Sequence, residues 1–83
     1  MASNKNYNPR LRRLILEVVD NQLRDNDPPV TKETYDRLVI SGYSAIKAKE
    51  MIAAVVLGHI YDAMKYNKPF DEAQYAKELR ELD

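Results

Sequence analysis

The chain has 83 residues, with thirteen lysines and arginines balancing thirteen acids, one histidine and no cysteine. That length allows one small domain, burying roughly 60–65 % of its unfolded surface and stable by on the order of 5 kcal/mol. Without cysteine there are no disulfides, thiolate metal ligands or thiol catalysis, and a small unstapled domain suits a reducing cytoplasm. Balanced charge argues against general nucleic-acid or membrane-surface binding. The longest apolar run is far short of a bilayer span, and no signal peptide is read before it.

The balance is uneven along the chain. Lys5, Arg10, Arg12 and Arg13 make the first thirteen residues purely basic, while Asp71, Glu72, Glu78, Glu81 and Asp83 make the end acidic. Residues 1–8 are polar and aperiodic and read as a flexible arm, leaving 9–83 as the single folded domain.

Asn8-Pro9 opens a first helix, Asn as N-cap and Pro at N1 where a missing donor costs nothing. Leu11, Leu14, Ile15, Val18, Val19 and Leu23 form one apolar face, and Arg13–Glu17 and Asp20–Arg24 lie at i,i+4 spacing on the other. Gln22 is the polar residue in the middle of that apolar face. Asp25-Asn26-Asp27-Pro28-Pro29 ends the helix, because two prolines cannot continue the hydrogen-bond ladder. A short second helix follows, with Val30 at N′, Thr31 as N-cap and Tyr35 at N4, where it can close a hydrophobic staple. It buries Tyr35, Leu38 and Val39. Gly42 is its C′ residue, with Tyr43 packing back on Leu38 in a Schellman turn.

Ser44 caps a long third helix running to about Tyr66, apolar on nearly every side between Met51 and Ile60, as expected of a helix that others surround. Its buried face centres on Ile52, His59 and Ala63, flanked by Ala48, Val55 and Val56, and a second apolar strip holds Ile46, Leu57 and Met64. The remaining side carries charges, but also Ala54, Gly58 and Tyr61. Glycine in mid-helix costs about 1 kcal/mol against alanine, so close approach of another backbone is expected at Gly58. Asn67-Lys68-Pro69 is a turn. Phe70 and Asp71 open a last helix with capping-box spacing from Asp71 to Gln74, a Phe70–Tyr75 staple, and an inner stripe of Tyr75, Leu79 and Leu82.

Four helices with short connections predict an all-α, up-down-up-down bundle around the long third helix. That topology places the basic start of the first helix beside Glu78, Glu81 and Asp83 of the last. The competing account of Lys5, Arg10, Arg12 and Arg13 is a site for phosphate or nucleic acid, since cations in a helix's first turn oppose its macrodipole.

His59 points into the core face. It has no second histidine or cysteine for a metal, and Asp62 is rotated about 60° from it, a poor orienting geometry. A structural imidazole is expected, bonded to Gln22 or Tyr35. The second and third helices superficially form a helix-turn-helix, but only Lys47 and Lys49 precede the apolar stretch of the would-be recognition helix. No catalytic, cofactor or metal residue is assigned, so no enzyme is expected. Ala54, Gly58 and Tyr61, mixing small and aromatic residues, form the candidate interface with a protein partner or a second copy; the alternative is that the first or the last helix covers them.

The stretch LVISGYSAIKAKEMIAAVVLGHIYDAMKYNKPFDEAQYAKELREL, from Leu38 onward, resembles a small bacterial helical domain family of unknown function. The shared features are the Gly-Tyr-Ser turn, the Ala-rich apolar helix, the Lys-Pro-Phe-Asp turn and a final Tyr-containing helix. The resemblance implies a fold and a bacterial intracellular origin, but no activity. The Gly42-Tyr43 turn is also similar to that of ubiquitin-associated domains, but the helix after it is twice too long for that fold.

Overall fold

The computed structural model describes residues 8–82, which form four α-helices: α1 (Pro9–Asp25), α2 (Pro29–Ile40), α3 (Ala45–Tyr66) and α4 (Glu72–Arg80). The predicted arm, apart from Asn8, and Asp83 lie outside the described residues.

Local capping accounts for most of the helix ends. The Asn8 side chain accepts from the backbone amides of Arg10 and Leu11, with Pro9 next in line. Ser44 Oγ accepts from Lys47 N at 3.1 Å and Asp71 Oδ1 from Gln74 N at 3.0 Å, each satisfying an amide the helix cannot pair. At Gly42, φ is +112°, and the amides of Tyr43 and Gly42 return to the carbonyls of Leu38 and Val39. This is the predicted Schellman closure.

Four local expectations are corrected. α1 stops at Asn26, which takes the left-handed conformation (φ 52°) and closes its own Schellman pair, Asp27 N to Gln22 O and Asn26 N to Leu23 O. The prolines therefore begin α2 rather than end α1. Pro29 takes the first helical position, for which its fixed φ suits it, so Thr31 lies inside the helix and is not its N-cap. The Gln74 side chain turns forward to Glu78 Oε2 at 2.9 Å, so the capping box is only half made. On α1 the surface pairs are tertiary or adjacent instead of i,i+4. Asp20 meets Lys49 of α3 at 2.8 Å, and Arg24 meets Asp25 at 3.0 Å.

The core joins Ile15 and Val19 of α1, Val30 and Leu38 of α2, Ala48, Ile52, Ala53 and Val56 of α3, and Tyr75 and Leu79 of α4. α2 and α3 each pack on all three other helices, whereas α1 and α4 do not pack on each other. The centre is thus a pair of helices, not α3 alone. α4 reaches α1 through one side chain. Tyr75 OH donates to Gln22 Oε1 at 3.0 Å, where Thr31 Oγ1 also donates at 2.7 Å. Burial pushes the Tyr75 hydroxyl up from its ordinary pKa, partly offset by its bonds to Thr31 and Gln22. The far end of α4 is held by Arg37 of α2, whose guanidinium donates to the carbonyls of Leu79 (2.9 Å) and Leu82. The Leu79 carbonyl also accepts from Leu82 N at 3.2 Å, and Leu82 lies past the end of α4, so Arg37 ties down the helix's last turn together with the residues that follow it.

Candidate functional site

α1 buries a narrower and rotated face compared with its apolar pattern. Ile15 and Val19 are buried, but Leu14 is 52 % exposed and Val18 36 %. The rotation brings Leu16, from outside the predicted face, to the wall of a groove of about 380 Å³ between α1 and α3. Leu11 and Ile15 line the same wall, and Ala53, Ala54, Leu57 and Tyr61 line the other. Arg12 of α1 reaches Glu50 of α3 as an ion pair that also lines the groove.

Two of the three candidate interface residues, Ala54 and Tyr61, therefore line one apolar groove, with Gly58 one turn beyond Ala54 on the same side of α3. No neighbouring helix covers them: Ala54 and Gly58 are exposed, and Tyr61 is 58 % exposed. Outside its own helix, nothing lies within 4 Å of where a side chain at Gly58 would begin. The close backbone approach expected there does not occur within the chain. Met64, 74 % exposed, continues the apolar row one turn past Tyr61. Leu11, Leu16 and Glu50 were missing from the sequence-derived interface, and Arg12 was assigned to the anion-binding candidates instead. Leu16 was legible as an apolar residue off the main face of α1, but its partner helix was not.

His59 is 9 % exposed and lies between aromatic rings, 5.5 Å from Phe70 and 5.6 Å edge-on from Tyr75. Its Nε2 is 2.9 Å from Glu78 Oε1, so its partner is Glu78, not the expected Gln22 or Tyr35. Gln22 is taken by Thr31 and Tyr75. The Glu78 carboxyl is held below its ordinary pKa, first by the bond from Gln74 and then, against the opposing effect of burial, by His59 and Lys77. A cavity of about 240 Å³ adjoins this pair, with Asp62, Lys68, Asp71 and Gln74 in its lining. An imidazole and a carboxylate can share a proton there, but the lining offers no hydroxyl to act as nucleophile.

The basic start of α1 is not neutralised by the end of α4. Arg12 pairs with Glu50, Glu78 serves His59 and Gln74, and Glu81 lies 3.8 Å from Lys77. The reason is the packing, since α1 and α4 do not pack on each other. Among the described residues Arg10 and Arg13 are exposed and make no ion pair, and Lys5 lies outside them. Arg12 is thus committed to Glu50, while Arg10 and Arg13 stay exposed, three residues apart on one side of α1. Among the described residues no three His, Cys, Asp or Glu side chains are arranged to hold a metal ion, and no helix is long and apolar enough to cross a membrane.

Comparison with known proteins adds no relative. No family model, curated protein or solved structure matches the chain.

Proposed function

We propose that this chain is a non-enzymatic helical interaction module that holds a protein partner or a second copy in the groove between α1 and α3. One observation carries the reading: an apolar groove stands open beside an uncovered row of Ala54, Gly58 and Tyr61. Apolar and aromatic side chains at the centre with an ion pair at the edge is the composition of a protein interface. The mid-helix glycine supports it too, since its cost of about 1 kcal/mol is offset by nothing inside the chain. The alternating up-down-up-down course of the helices belongs to the same proposal and rests on the short connections 26–28, 41–44 and 67–71. A cytoplasmic setting follows from the lack of cysteine, and a bacterial origin from the resemblance of Leu38–Leu82 to a bacterial family.

The test is photo-crosslinking in the cells that make the protein, with a photoreactive phenylalanine analogue in place of Tyr61 and, as control, in place of Lys32 on the exposed face of α2. Adducts from position 61 and none from position 32 are expected. Equal labelling, or none, rejects the groove as an interaction site.

A further inference from the structure

The exposed side of α3 carries an order of charge and size that a general docking face does not need. Along it run Glu50, Ala54, Leu57, Gly58, Tyr61 and Lys65, spaced three and four residues apart and therefore on one side of the helix. Small residues alternate with large ones, and the two ends carry opposite charges about 22 Å apart along the axis.

Resting on the interaction reading above, we infer that the groove's occupant is a second copy of this chain, with α3 antiparallel to α3 about a two-fold axis between Leu57 and Gly58. Antiparallel pairing about that point sets Ala54 opposite Tyr61 of the second copy, Leu57 opposite its Gly58, and Glu50 opposite its Lys65. Each large side chain meets a small one, and the two-fold axis repeats every pair. Tyr61 of one copy then enters the groove of the other beside Ala54, between Leu57 and Leu16, where the cavity is open. The absent side chain at Gly58 lets the two backbones approach, which supplies the contact missing inside the chain.

Charge decides the direction. A parallel pair about a two-fold axis would set Glu50 on Glu50 and Lys65 on Lys65, whereas the antiparallel pair joins opposite signs at both ends. Glu50 is already bonded to Arg12, so each end becomes a three-membered network of Arg12, Glu50 and the second copy's Lys65. Lys47 falls opposite Lys68 of the second copy, beyond the end of α3, where both are exposed to solvent. Zero net charge leaves no general repulsion between copies.

The experiment uses the purified full chain. Sedimentation equilibrium from micromolar to millimolar concentration is expected to show a monomer–dimer equilibrium. Gly58→Glu, which has room in the monomer, is expected to keep the helical circular dichroism and weaken the dimer at least tenfold. The chain has no cysteine, so introduced thiols report the register. Gly58→Cys should form a disulfide dimer on mild oxidation. An equimolar mixture of Ala54→Cys and Tyr61→Cys chains should cross-link to each other far more than either does to itself, because like positions are too far apart to bridge. A monomer at every concentration overturns the inference. So does a dimer indifferent to Gly58→Glu, or self-linking of Ala54→Cys at the rate of the mixture. A purified monomer whose position 61 still labels a different protein in the cell overturns self-pairing and leaves the groove reading intact, whereas loss of labelling rejects both.

Discussion

Replacing Gln22 by leucine tests whether the three-way polar contact between α1, α2 and α4 holds the fold together. Gln22 Oε1 accepts from Thr31 Oγ1 and from Tyr75 OH, and both donors' side chains are fully buried. Removing the amide orphans two hydroxyls, but these lie 3.4 Å apart and one can donate to the other. One buried O–H is then left without an acceptor, costing about 1–3 kcal/mol. Tyr75→Phe removes one donor and leaves Thr31 and Gln22 paired, so it costs about 1 kcal/mol. The triple change Gln22→Leu, Thr31→Val and Tyr75→Phe removes every partner together. Exchanging both sides of a hydrogen bond for apolar groups of the same shape is nearly neutral, so the triple variant is expected to be more stable than Gln22→Leu alone. Urea denaturation followed by circular dichroism reads the order directly, and thermal melting should spread the variants by about 4–8 °C per kcal/mol at this size. A triple variant that loses the sum of its single losses would refute the reasoning. So would a Gln22→Leu variant no less stable than Tyr75→Phe.

Gly58→Ala is expected to stabilise the dilute monomer by up to about 1 kcal/mol, since the added methyl meets nothing outside its own helix; a lower urea midpoint would contradict this. Arg37→Met should cost about 1 kcal/mol by uncapping the carbonyls of Leu79 and Leu82, and faster amide exchange near the end of α4 than in α1 would locate the loss there. The Glu78 carboxyl prefers its charged form in the folded state, so the stability it contributes is fully present above the ordinary glutamate range. It is lost as pH falls through the lowered folded value. Glu78→Gln should therefore flatten the acid limb of the stability curve, by a small amount because the carboxylate is part-exposed and screened; an unchanged slope between pH 5 and 3, as an approximate window, counts against it.

The all-helical class, four helices, the N-caps Asn8, Ser44 and Asp71 and the turn at Gly42 were legible in the sequence alone. These are local matters. Asn8, Ser44 and Asp71 each bond an amide two or three residues away, and Gly42 closes a turn on carbonyls three and five residues back, so the information lies within one helical turn. The buried stripe of α3 was legible for the same reason, because its period alone places Ala48, Ile52, Val56 and His59 on one face.

Tertiary packing decided everything that depends on which helices meet. The apolar pattern of α1 spans more arc than the protein buries. Only the positions of α2 and α3 determined that Ile15, Val19 and Leu16 turn inward or toward the groove while Leu14 and Val18 face solvent. Arg12, Asp20 and His59 each chose a partner on another helix, Glu50, Lys49 and Glu78, the first of them 38 residues away. A short-range pattern cannot rank such partners, since an exposed helical pair is worth only about 0.3–0.5 kcal/mol and yields to any better-placed charge. The separation of α1 from α4, which leaves the basic start without its expected acids and the groove beside α3 open, is a property of the assembled helices alone.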